Sequence, residues 1–129
     1  MSDLLLDTHA FLWFVWDDPQ LSSHAKSAIE NPENRKLISI AACWEIAIKC
    51  ALGKLKLDDT AENFLAREIA SNNFELLPVS LIHATRTEKL PFHHHDPFDR
   101  MLIVQAMTED LTLITRDDHF SQYPIRTLW

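Results

Sequence analysis

The sequence predicts an α/β fold, a central parallel sheet flanked by helices on both faces, and three observations predict it. Short apolar runs recur at residues 4–6, 37–40, 74–79, 111–115 and 125–128. Segments with helical spacing of apolar residues separate most of them. The runs are continuous rather than alternating, as strands buried on both faces are. Strands alternating with helices in this way build βαβ units around a parallel sheet. A chain of 129 residues, nearly half of them apolar, is expected to form one domain over residues 1–129, burying about two-thirds of its unfolded surface.

Each element has a local reason. The run Leu4, Leu5, Leu6 stops at Asp7-Thr8-His9 and reads as the first strand. Residues 10–16 are apolar on every side, which predicts a buried helix ended by Asp17-Asp18-Pro19. Ser22 or Ser23 caps a helix reaching Glu30, with Ala25, Ala28 and Ile29 facing inward, and Asn31-Pro32 closes it. The second strand at 37–40 leads into a helix over 41–52, with Trp44, Ala47, Ile48 and Ala51 at helical spacing. Gly53, the only glycine, falls just past its end, where positive φ is expected. Thr60 starts a further helix that frays at 71–73. Ser80 caps a helix after the third strand, stopped by Pro91. Asp96 and Pro97 are well suited as N-cap and first residue of a helix reaching about Thr108. The fourth and fifth strands complete the chain.

Composition excludes several functions. No run reaches the ~20 apolar residues of a membrane span. The acidic start, Met1-Ser2-Asp3, is unlike a signal peptide, so a cytoplasmic location is expected. Cys43 and Cys50 lie seven apart in a helical segment, about 10 Å along its axis, too far for a disulfide; they read as core residues. The net charge of −7 argues against a broad basic surface for duplex DNA, but not against a nuclease whose acidic residues gather at a metal site.

Ligand sites in parallel sheets lie at the carboxyl ends of strands, near a topological switch point. Asp7 and Asp117 stand at such ends. Glu45 is one turn into an otherwise apolar helix, where a carboxylate desolvated without a partner costs several kcal/mol; a site is favoured over a solvent stripe. Asp99 falls in the first turn of the helix at Pro97. Each has a plain alternative: Asp7 as a strand-end turn, Asp99 as part of a helix start, Asp117 as loop. Together they form the cluster of hard oxygens that Mg²⁺ or Mn²⁺ requires.

Five ordered blocks then carry a resemblance: Leu-Leu-Leu-Asp-Thr-His-Ala at 4–10, Trp-Glu-Ile-Ala-Ile-Lys at 44–49, Leu-Gly-Lys-Leu at 52–55, His-His-Asp-Pro-Phe-Asp-Arg-Met-Leu-Ile at 94–103 and Leu-Ile-Thr-Arg-Asp at 113–117. The chain resembles PIN-domain ribonucleases, specifically the VapC-type toxins of bacterial toxin–antitoxin pairs. The resemblance implies a PIN-like three-layer fold with a five-stranded parallel sheet, and Mg²⁺- or Mn²⁺-dependent endoribonuclease activity. It assigns the acidic positions to Asp7, Glu45, Asp99 and Asp117, with Asp117 preferred to Asp118. Asp96 belongs to the same block as a further metal ligand or a cap, and the cap is favoured. Thr8 and Thr115 are expected to hydrogen-bond the ligands or metal-bound water. In the implied mechanism Asp7 and Asp99, aided by Asp117, hold one ion, and Glu45 serves ion-bound water or a second ion.

The histidines are weighed separately. Adjacent residues do not readily all face one ion, so His93-His94-His95 is disfavoured as a zinc site and read as a polar edge of the cleft. His9 is placed near substrate phosphate; Arg100 and Arg116 either contact RNA or balance charge. The apolar helix holding Phe11, Leu12, Trp13, Phe14, Val15 and Trp16 offers either core or an interface. The partners implied are RNA, a cognate antitoxin and a second copy of the chain. Two alternatives remain: a catalytically degenerate PIN-like module that works through protein or RNA binding, and a phosphatase-like hydrolase. The latter wants Asp-x-Asp, where this chain has Asp7-Thr8-His9.

Overall fold

The computed structural model describes residues 2–129. Five strands, β1 (Asp3–Leu6), β2 (Arg35–Ser39), β3 (Glu75–Leu77), β4 (Thr112–Ile114) and β5 (Arg126–Leu128), form one sheet in the order β3-β2-β1-β4-β5. All four pairings are parallel. The helices are α1 (Thr8–Val15), α2 (Ser23–Glu30), α3 (Ile40–Ala51), α4 (Ala61–Ser71), α5 (Leu81–Arg86) and α6 (Pro97–Glu109). The chain winds outward from β1 to β2 and β3, then returns to β1's other side for β4. The switch point therefore lies between β1 and β4.

Alternate residues of each central strand serve the two faces. Leu4, Leu6, Ile38 and Ile114 pack with Phe11, Ala25, Ile29, Ile46 and Phe64, uniting the sheet with α1 to α4. Leu5, Leu37 and Leu113 pack on the opposite face with Leu102, Ile103 and Ala106 of α6, and with Phe120 and Tyr123. Burial on both faces explains why β1 reads as three consecutive leucines. Among the described residues no helix is long and apolar enough to cross a membrane.

The predicted caps hold at Ser22, Thr60, Ser80 and Asp96, whose side chains each accept from backbone N–H groups of the following turn. Gly53 has φ +72°. Four expectations need correction. α1 begins at Thr8 because Asp7 caps it, its carboxylate accepting from the Ala10 N–H at 2.8 Å. Ser39 ends β2 and caps α3 with no loop between them, so Ile40 is helical rather than the last strand residue. β3 is confined to Glu75–Leu77, since Pro78 has no N–H to continue the ladder. On α3 the buried face is Ala41, Ala42, Glu45 and Ile46, while Trp44 and Ala47 are exposed. That helix is apolar on nearly all sides, so spacing alone does not orient it.

Candidate active site

The carboxyl ends of β1 and β4, the first turns of α1 and α6, and the middle of α3 enclose one pocket. Its lining includes Asp7, Glu45, Asp96, Asp99 and Asp117, together with Thr8, His9 and Lys49. The four carboxylates selected from the sequence thus meet in space, although they come from four separate elements. Asp118 is exposed and is not part of this lining. A larger cleft elsewhere, bordered by Thr85, Leu90, Pro91, Val104 and Met107, holds no comparable convergence of carboxylates.

Each carboxylate is fixed by its own element. Asp7 extends the β1–β4 ladder through its N–H to the Ile114 carbonyl (3.1 Å) while its side chain caps α1. Burial raises its pKa above the ordinary value, opposed by the Thr115 hydroxyl and the Ala10 N–H. Glu45 is buried, and both its oxygens are engaged: the Thr8 hydroxyl donates to one (2.5 Å) and the Lys49 ammonium lies 2.9 Å from the other. Asp96 spends its Oδ1 on the N–H groups of Phe98 (2.9 Å) and Asp99 (3.0 Å), which is the capping geometry expected of it. The cap directs Asp99 into the pocket. There burial, followed by repulsion from Asp96, Glu45, Asp7 and Asp117, pushes its pKa up to about 7.

Asp117 is held differently. Its Oδ1 accepts from the His119 N–H and lies 2.9 Å from His119 Nδ1, while Oδ2 lies 3.7 Å from His94 Nε2. Burial would raise its pKa, but the His119 hydrogen bonds and the charge of His119 and His94 bring it below the ordinary value. The Thr115 hydroxyl accepts the Asp117 N–H (3.1 Å), so this threonine touches two of the four acidic positions.

The basic residues divide. Arg116 stacks over the Trp13 ring, 4.6 Å from its centroid, beside a neighbouring depression formed with Asp7, His9 and Asp117. His9 stacks on the same tryptophan at 5.4 Å. Arg100 takes neither role expected of it: it is buried and donates to the carbonyls of Thr87, Leu90, Pro91 and His94, tying residues 87–94 to α6. Sequence reasoning gave Lys49 and His119 no role; Glu45 and Lys49 at i and i+4 were the available signal for the first.

Four carboxylates lining one pocket, one of them pushed to a pKa of about 7, with hydroxyls and N–H groups holding them in place, offer the hard oxygens that a divalent cation takes. Repulsion among them is the electrostatic cost that such a cation removes.

The sequence matches the family model described as PIN domain over residues 4–125. No curated protein sequence matches it. Solved structures share the fold: VapBC2 from Rickettsia felis, bound to a DNA fragment from its promoter, at 16% identity and TM-score 0.72, with 98% of this chain and 97% of that chain covered. DNA-bound VapBC from Salmonella typhimurium matches at 20% identity and TM-score 0.72, covering 99% and 98%. FitAcB from Neisseria gonorrhoeae matches at 18% identity and TM-score 0.66, covering 98% and 96%. With the family model spanning almost its whole length and the β3-β2-β1-β4-β5 sheet beneath the acidic pocket, the chain belongs to the PIN domain family.

Proposed function

We propose that the chain is a metal-dependent endoribonuclease and the toxin half of a toxin–antitoxin pair. The observation that carries this reading is the convergence of Asp7, Glu45, Asp99 and Asp117 on one pocket, with Asp99 pushed to about 7. Asp7 and Asp99 would hold Mg²⁺ or Mn²⁺, with Asp117 adding to the oxygen set; Asp96 remains a cap. A divalent cation held there would supply Lewis acidity toward water and toward the charge developing on the phosphate. Glu45 orients the attacking water, its own position fixed by Thr8 and Lys49. Thr115 steadies Asp7 and Asp117. Arg116, exposed at the pocket's edge, contacts RNA phosphate.

The toxin reading is supported by the likeness to VapBC complexes and by the apolar surface α1 leaves uncovered: Trp13, Phe14 and Val15 are half-buried and Trp16 is 44% exposed. The partners are a cognate antitoxin, a second copy of the chain and cytoplasmic RNA. The test is cleavage of total RNA by the purified chain with Mn²⁺, with chelator, and by Asp7→Asn. Cleavage that needs the metal and falls at least about a hundredfold in Asp7→Asn is expected. A folded protein that cuts no RNA at any Mn²⁺ or Mg²⁺ concentration sinks the proposal and leaves the binding-module reading.

A further inference from the structure

We propose that His94, Asp117 and His119 form a second metal site, suited to a borderline ion such as Zn²⁺, on the edge of the carboxylate pocket. One donor atom from each residue lies within 4.8 Å of the others. The Asp117–His119 and Asp117–His94 separations are 2.9 and 3.7 Å. They bracket the roughly 3.3 Å between ligands expected of a tetrahedral ion with bonds of about 2.0–2.1 Å.

The independent observation is the state of His94. Its side chain is only 10% exposed, and neither ring nitrogen has a hydrogen-bond partner among the described residues. A buried polar group in that condition is costly. The other buried histidine shows what ordinary satisfaction looks like: His83 Nδ1 accepts the Ser80 N–H and Nε2 pairs with Glu109. The backbone of His94 is clamped on both sides, its N–H to the Tyr123 hydroxyl and its carbonyl to Arg100, so the ring is held facing Asp117. The neighbouring histidines point elsewhere. His93 packs edge-on against Tyr123 and His95 stacks on Phe92. The triplet thus supplies one ligand, and the other two come from the turn after β4.

Two imidazoles and one carboxylate favour zinc, copper or nickel, whereas the all-oxygen pocket favours magnesium or manganese. Asp117 belongs to both sets. Occupancy of the histidine site draws its carboxylate away from the pocket, so the two metals weaken each other's binding reciprocally. This competition rests on the pocket being a metal centre, as proposed above; the zinc site does not.

The probe is ZnCl₂ titrated calorimetrically into the full chain, with Co²⁺ absorption spectra reporting nitrogen ligation. One zinc per chain is expected, with affinity at least about tenfold weaker in His119→Ala and unchanged in His95→Ala and Asp7→Asn. His119 is exposed, so its variant retains the fold; His94→Gln, checked by thermal melting, repeats the test on the buried side. Equal zinc affinity in wild type and His119→Ala, or no zinc binding by wild type, overturns the site. Mn²⁺ affinity measured with zinc prebound tests the competition: at least about a tenfold loss is expected, and an unchanged value overturns the competition alone.

Discussion

Asp99, like Asp7, carries part of the electrostatic cost of the pocket in a raised pKa. Its pKa in the folded protein, about 7, lies above the value of 3.8 that an ordinary aspartate has. The native state therefore binds the proton more tightly than the unfolded state, and stability falls as pH rises from about 4 through 7. At about 1.4 kcal/mol per pKa unit, discounted for the solvent that reaches a half-buried group, the effect is about 1–2 kcal/mol. Metal-free protein is expected to be more stable at pH 5.5 than at pH 8. Asp99→Asn should flatten much of that dependence and melt higher than wild type at pH 8 in the presence of chelator. Parallel pH–stability curves from urea unfolding would exclude burial of Asp99, and its repulsion by neighbouring carboxylates, as the cause. Asp117 has the opposite sign: held below 3.8, it loses its contribution only as pH falls below about 4. The acidic residues of the pocket were readable from sequence because each broke a local pattern. Asp7 and Asp117 end apolar runs, and Glu45 interrupts an apolar helix. His119 and the inward turn of His94 were not readable, because a ring's direction depends on Tyr123 and Arg100, which lie six and more residues away.

At the scale of elements, the pocket depends on how two helices begin. Asp96 caps α6 and so sets the direction of Asp99; Asp96→Ala should cost about 1 kcal/mol of stability, read as a lower urea midpoint with unchanged slope. A larger loss is expected at Arg100, whose guanidinium donates to four backbone carbonyls and lies 4.0 Å from the Phe92 ring centroid. Arg100→Met leaves those carbonyls without their donor and should cost about 3–5 kcal/mol. Arg100→Lys should recover little of it, since an ammonium does not reproduce the planar fork. Stability within about 0.5 kcal/mol of wild type in Arg100→Met would refute the clamp. Elements marked by a capping residue were legible from sequence: Ser22, Thr60, Ser80 and Asp96 each start a helix where expected. The facing of α3 was not. Its sequence carries apolar residues almost all round, and its rotation is set by two things absent from periodicity. Ser39 joins it to β2 without a loop, and Trp44 packs edge-on against Phe98 of α6, 5.6 Å between centroids. That rotation turns Glu45, rather than Trp44, toward the sheet.

Over the whole molecule, an excess of acidic groups must be reconciled with the polyanionic substrate proposed above. The chain has 12 Lys and Arg against 19 Asp and Glu, and much of the positive charge is already committed. Arg35 pairs with Asp3 and Glu75, Arg67 with Asp58 and Glu68, and Arg126 with Asp110. Arg100 is buried, and Lys49 is paired with Glu45. Arg116 remains at the pocket's edge, with His9 beside it. The order of strands and the switch point beside β1 were legible only as a class in the sequence, because short apolar runs fix neither neighbour nor register; charge balance, by contrast, was legible outright and constrains binding directly. For single strands the logarithm of the binding constant falls with that of salt concentration at about 0.7 per phosphate neutralised. Two protein–phosphate contacts predict roughly a sevenfold weakening between 50 and 200 mM KCl, against roughly 300-fold for a basic surface making six. Binding of a short single-stranded RNA to Asp7→Asn, followed by fluorescence anisotropy at fixed Mn²⁺, should show the shallow slope, and Arg116→Ala should make it shallower by about 0.7. A steep slope that Arg116→Ala leaves unchanged would mean that RNA is held by a different face of the molecule, and that the acidic pocket meets its substrate only after that face has captured it.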